Sequence, residues 1–144
     1  MVITPEVQSF ALCVKAMGNA KEEKLKAEIM VKESHLKFTE MKEAQEEAKN
    51  NAMEAGHGLY HFIHNANDAN NADLKTVAET LMSLFYNEKV TEKIFSEAKE
   101  KEKKAYEEYE TTIYMSEVAN KKYSDAVNKM ELAWKPAQDS VQLV

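Results

Sequence analysis

Proline and glycine are scarce in this sequence. Its 144 residues include two prolines, Pro5 and Pro136, and three glycines, Gly18, Gly56 and Gly58. Proline breaks a helix interior and glycine weakens it, so the 130-residue span without proline predicts long helices. The same scarcity excludes collagen-like and loop-rich chains and most β-rich folds, while the high share of Ala, Glu, Lys and Leu is typical of long helices and coiled coils.

Arginine is absent, cysteine occurs once, and no long apolar run is present. All 19 basic residues are lysine and the net charge is −6. Arginine is the usual side chain for bidentate contacts to phosphates and base edges, so we expect no nucleic-acid partner. Cys13 alone cannot form an internal disulfide, and we expect it to be a small buried apolar residue. The longest apolar run, Phe10 to Val14, falls far short of the ~20 residues that span a membrane.

The first residues lack the basic segment and apolar core of a secretory signal. We therefore expect a cytoplasmic protein. Export without a cleaved signal, or packaging in a virion, is equally compatible with these residues.

One polar segment divides the chain into two arms of similar length. Residues 65–73 contain four asparagines and two aspartates, which favour turns because their side chains bond the nearby backbone. The sequence therefore predicts a helical arm over 5–64, a turn over 65–73 and a second arm over 74–135. Gly56 and Gly58 mark an alternative position for the main turn, or a kink.

The ends of the two arms carry local signals. Thr4 is a suitable N-cap, Pro5 suits the first helical position, and Asp73 can cap the second helix. The residue before a proline is disfavoured in helical geometry, so Lys135 and Pro136 predict the end of the second arm. We expect one helical domain over 1–136, followed by a flexible tail over 137–144.

A row of residues in the second arm keeps a 4-3 spacing from Val77 to Ala133, which places them on one helical face. Most of them are apolar or small, and Glu88 and Glu102 are among the polar members. The fold class is therefore all-α: a long antiparallel helical hairpin, or coiled-coil-like bundle. Two helices alone leave apolar surface in water, so we expect a second copy to complete a four-helix dimer.

Large apolar and aromatic residues concentrate where the two arms begin and end. Tyrosine, tryptophan and methionine are enriched at protein interfaces, although packing within the hairpin explains some of them equally well. We predict that a self-association or partner surface uses Val7, Phe10, Val14, Met17, Tyr106, Tyr109, Ile113, Tyr123, Val127, Met130 and Trp134.

Histidines near the predicted turn are the only candidates for metal ligands. His57, His61, His64 and Asp68 fall on one face of a helix, and neutral imidazole is a common zinc ligand. Residues on a single helix cannot easily converge on one ion, so a partner chain would have to contribute. We expect polar residues at the tip of the hairpin and no cofactor.

These patterns predict a non-enzymatic protein whose function is binding: a self-associating hairpin that acts as an adaptor, chaperone, scaffold or inhibitor of a partner protein. Two alternatives remain open. One is a membrane-surface module similar to a BAR domain, which the lack of clustered basic residues disfavours. The other is a metal-binding helical protein that uses the tip histidines.

Overall fold

A computed structural model of the chain describes residues 3–66 and 73–142. It contains two helices, α1 (Pro5–Ala66) and α2 (Leu74–Gln142), packed against each other, and no strand occurs in these ranges. The predicted all-α helical hairpin is therefore confirmed. Of the predicted turn over 65–73, residues 67–72 lie outside the described residues.

The chain divides into two compact units, and one helical domain over 1–136 remains a prediction. The first unit consists of Met1–His35 with Glu108–Val144, and the second of Leu36–Glu107. Each unit contains one segment of α1 and one of α2.

The predicted N-caps are both present. In the first unit, the Val7 N–H donates to Thr4 Oγ1 at 3.2 Å, and α1 begins at Pro5. In the second unit, the Lys75 N–H donates to Asp73 Oδ1 at 3.2 Å, one residue before α2 begins. These side-chain oxygens satisfy backbone donors that have no partner within the helix.

Two pairs of hydroxyl groups join the helices of the first unit. Thr4 Oγ1 lies 2.7 Å from Ser140 Oγ, and Ser34 Oγ lies 2.7 Å from Thr112 Oγ1. The Ser140 hydroxyl also lies within hydrogen-bond distance of the Ala137 carbonyl, at 2.8 Å, and either hydroxyl can donate in the pair with Thr4. Together the two pairs define the antiparallel register of this unit.

Helix α2 does not end where the sequence predicts. It continues through Pro136 to Gln142, so the predicted end at Lys135 and the flexible tail over 137–144 are wrong over residues 137–142. Proline removes one backbone donor, but this local cost is offset by packing beyond it. Ala137 is only 4% exposed and Ser140 bonds Thr4.

The glycines of α1 do not interrupt it either. Gly56 and Gly58 lie inside the unbroken helix, and neither has a positive φ. The main turn therefore does not lie at these glycines, which excludes the alternative position for it.

The residues between the helices follow the predicted 4-3 spacing and are mostly small. From Leu84 to Ser140, every residue at these positions of α2 is buried or half-buried. Leu81, a predicted member of the row, is 37% exposed. The buried apolar residues of the first unit are Ala20, Ala27, Ala119 and Ala137, and those of the second are Ala48, Ala55, Leu59 and Ala105.

We refer to these positions of α2, together with the buried and half-buried positions of α1 that keep the same spacing from Phe10 to Phe62, as the seam. Alanine lets two helix backbones approach closely, but its single methyl group removes little apolar area from water. The seam therefore gives close packing with modest hydrophobic stabilisation for each residue buried.

Enlarging a seam alanine should destabilise the protein. Ala105 is 1% exposed, so Ala105→Leu has to force the helices apart, and we expect a loss of about 1–3 kcal/mol in the free energy of unfolding. The matched control is Ala78→Leu, at an exposed position of the same helix and unit. Urea unfolding followed by circular dichroism compares the two, and equal stability would contradict close packing at Ala105.

Removing Pro136 should stabilise the protein, because alanine restores a backbone donor inside α2. We expect Pro136→Ala to raise the free energy of unfolding by up to about 3 kcal/mol. Pro5→Ala serves as the control, since proline is favourable at the first position of a helix and its removal should bring no gain. Thermal unfolding measures both changes. A Pro136→Ala protein no more stable than the wild type would show that α2 does not continue through this position.

Candidate functional site: an apolar surface on the first unit

Ten of the eleven predicted contact residues belong to the first unit, and Tyr106 belongs to the second. Trp134, Tyr106 and Val14 are exposed, with 51%, 45% and 39% of their surfaces accessible. The half-buried members are Val7, Phe10, Met17, Tyr109, Ile113, Tyr123, Val127 and Met130.

Contacts within each unit account for part of this set. In the first unit, the Tyr109 ring packs on His35 at 5.2 Å between centroids, and Lys24 Nζ lies 5.0 Å from the centre of the Tyr123 ring. In the second unit, the Tyr106 ring packs on Phe38 at 5.3 Å. Packing within the hairpin therefore accounts for these three tyrosines. Packing of this kind is the second of the two explanations for the concentration of aromatic residues in the sequence.

Trp134 packs on one side and is open on the other. Its ring lies 5.2 Å from that of Phe10 on α1. Beside the two rings is a groove of about 370 Å³, lined also by Val7, Ala137 and Val141. Half of the Trp134 surface remains accessible despite these neighbours.

Trp134 belongs to a longer apolar row on one side of the seam. On α2, Ile113, Val127, Trp134 and Val141 each follow directly after a seam residue, at intervals of seven or fourteen residues. On α1, Val14 follows the seam residue Cys13, and Val7 lies seven residues earlier. We define the valine–tryptophan face as Val7, Val14, Ile113, Val127, Trp134 and Val141.

Few charges interrupt this face on α2. Between Ile113 and Val141, the one position of the row that is not apolar carries the neutral Asn120. The corresponding row on the other side of the α2 seam carries Glu108, Met115, Lys122, Lys129 and Pro136. Depletion of charge is characteristic of the buried centre of a protein interface.

A second apolar surface, which the sequence analysis missed, lies on that other side. It is a groove of about 420 Å³ with Met30, Tyr114, Met115 and Val118 in its walls and the seam residues Ala27 and Ala119 between them. We define these six residues as the methionine groove. All four of its large side chains are exposed, from 43% for Met30 to 67% for Tyr114.

A pair of opposite charges lies at the edge of the methionine groove. Lys122 Nζ lies 2.9 Å from Glu23 Oε2, and both side chains are more than half exposed. Exposed pairs of this kind contribute little to stability. The pair therefore forms a polar rim beside the apolar walls.

Nothing matches this chain among protein-family models, curated proteins or solved structures. Within residues 3–66 and 73–142, neither helix has a segment that is long and apolar enough to cross a membrane.

The histidines proposed as metal ligands lie on α1 in the second unit. His57, His61 and His64 are exposed, and the Tyr60 ring stacks on His64 and meets His61 edge-on, at 6.1 Å in both cases. Asp68 lies outside the described residues. Among the residues that the structure describes, no group of three or more His, Cys, Asp or Glu side chains could hold a metal ion.

Proposed function

We propose that this chain functions by binding and not by catalysis: a helical hairpin that associates with itself and holds a partner protein, as an adaptor, chaperone, scaffold or inhibitor. One observation carries the proposal. In the described part of the chain, seven of the eight buried apolar residues are alanines, whereas 23 large apolar side chains are exposed.

The exposed apolar side chains of the first unit support the same conclusion, since Met30, Tyr114, Met115, Val118 and Trp134 are each 43% or more exposed. Exposed apolar patches beyond a few hundred Å² usually mark interaction sites. A binding role gives these side chains an environment that the two helices by themselves do not provide.

The chemistry of the two apolar surfaces also favours protein partners. The valine–tryptophan face offers a rigid indole ring, and tryptophan is among the residues most enriched at energetically important interface positions. The methionine groove combines Met30 and Met115 with Tyr114. Methionine side chains adapt their shape to different apolar partners, and tyrosine combines an apolar ring with a polar tip.

Affinity capture with chemical cross-linking from the native source tests this function. The wild-type chain is compared with Met115→Glu and Trp134→Glu, which place a charge in the methionine groove and on the valine–tryptophan face. The control is Leu132→Glu, because Leu132 is 78% exposed and belongs to neither surface. We expect a protein that cross-links to the wild type and the control and is lost with at least one of the other two variants.

Two results would contradict the proposed function. One is that every captured protein binds all four chains equally well. The other is that no protein, including a second copy of the chain, cross-links to the wild type at all.

A further inference from the structure

We infer that the valine–tryptophan face of the first unit is covered by a second copy of this chain, with the same face meeting itself across a twofold axis. The inference rests on the proposed function, because it assigns an occupant to one of the two surfaces described above. Three observations support it: the area of the face, its repeat and the placement of charge.

The area of the face meets what a stable dimer needs. The α2 row from Ile113 to Val141 covers 28 residues, about 42 Å at 1.5 Å per residue, and Val7 to Val14 adds about 11 Å of α1. With helices about 10–12 Å wide, each copy offers roughly 600 Å². Two copies would bury about 1,200 Å², the lower limit for specific and stable interfaces.

The repeat of the face suits a second copy. Its apolar residues on α2 follow the seven-residue repeat of the seam, so they stay on one side of the helix over the whole row. Helices pack side by side when side chains with the same repeat interlock along both. A second copy of the chain has the same repeat. A twofold axis brings the same patch of the two molecules into contact.

The placement of charge separates this face from the methionine groove. The α2 row of the face carries no charged residue from Ile113 to Val141, whereas the row on the other side carries Lys122 and Lys129 over the same range. On α1 the face consists of Val7 and Val14 only, because the next two positions of that row are Lys21 and Glu28. A buried unpaired charge is costly, so the uncharged row is the one suited to complete coverage. Of the two sides of the first unit, the valine–tryptophan face is therefore the one that we assign to self-association.

Sedimentation equilibrium of the purified full-length chain tests the inference. We expect a wild-type dimer at micromolar concentration, and an increase of about 30-fold or more in its dissociation constant for Trp134→Glu. Leu132→Glu adds the same charge two residues away, on the other side of the seam, and should leave the dimer intact. Circular dichroism shows whether each variant keeps its helix content.

A second measurement needs no substitution. Trp134 is the only tryptophan, so its fluorescence reports on this face alone. Dilution of the wild type through the dissociation of the dimer should shift its emission to longer wavelength, as the exposed half of the ring enters water. An emission that does not change while the dimer dissociates would overturn the assignment of this face.

Three further results would also overturn the inference: a monomeric wild type, a folded Trp134→Glu that remains fully dimeric, or equal dissociation of the Trp134→Glu and Leu132→Glu proteins. Its failure can be distinguished from failure of the proposed function. A monomeric wild type that still captures another protein through Trp134 or Met115 excludes self-association and leaves the binding of a partner protein, the other part of the proposed function, standing.

Discussion

Close contact between small side chains along the seam is the constraint on which the other features depend. From residue 91 onward, every seventh residue of α2 at one set of seam positions is small or hydroxylated: Thr91, Ala98, Ala105, Thr112, Ala119, Ala126, Ala133 and Ser140. Small residues at an interface let helix backbones approach closely, but they remove little apolar area from water. Other large apolar residues, such as Trp134 and Met115, lie along the two sides of the seam and remain exposed.

The two apolar surfaces of the first unit therefore have the same cause, which is the row of small residues between the helices. Trp134 and Met115 lie on opposite sides of the same row of small residues, and each remains about half exposed. The hydroxyl pairs, Thr4 with Ser140 and Ser34 with Thr112, fix the register at which the two helices meet. Because the register is fixed, residues far apart in sequence, such as Val7 and Val141, line one continuous groove.

Local signals in the sequence predict much of the fold because they act within a few residues. The caps at Thr4 and Asp73 and the 4-3 spacing of α2 are of this kind. The end of α2 could not be predicted, since the preference against helix before Pro136 is overridden by packing of Ala137 and Ser140 on a distant segment.

The candidate surfaces were predictable only in part. Trp134 could be predicted as a surface residue of interest, because it is a large aromatic residue next to an apolar row in a sequence rich in polar residues. The methionine groove was not predicted, because Tyr114, Met115 and Val118 do not belong to the seam. A pattern of residues at 4-3 spacing therefore does not include them. A signal was present nonetheless: Met30 and Met115 each follow a small seam residue by three positions. Only the antiparallel register brings these two side chains into one groove.

The hydroxyl pair of Thr4 and Ser140 has a consequence for how the chain is made. These residues are 136 positions apart in sequence, so at cellular rates of synthesis roughly 7–27 s separate them. Helix α1 therefore emerges from the ribosome well before the part of α2 that packs on it in the first unit. During that interval its apolar stripe has no partner within the nascent chain. The first unit, which holds both apolar surfaces, can therefore form only after the second unit, Leu36–Glu107, has been synthesised.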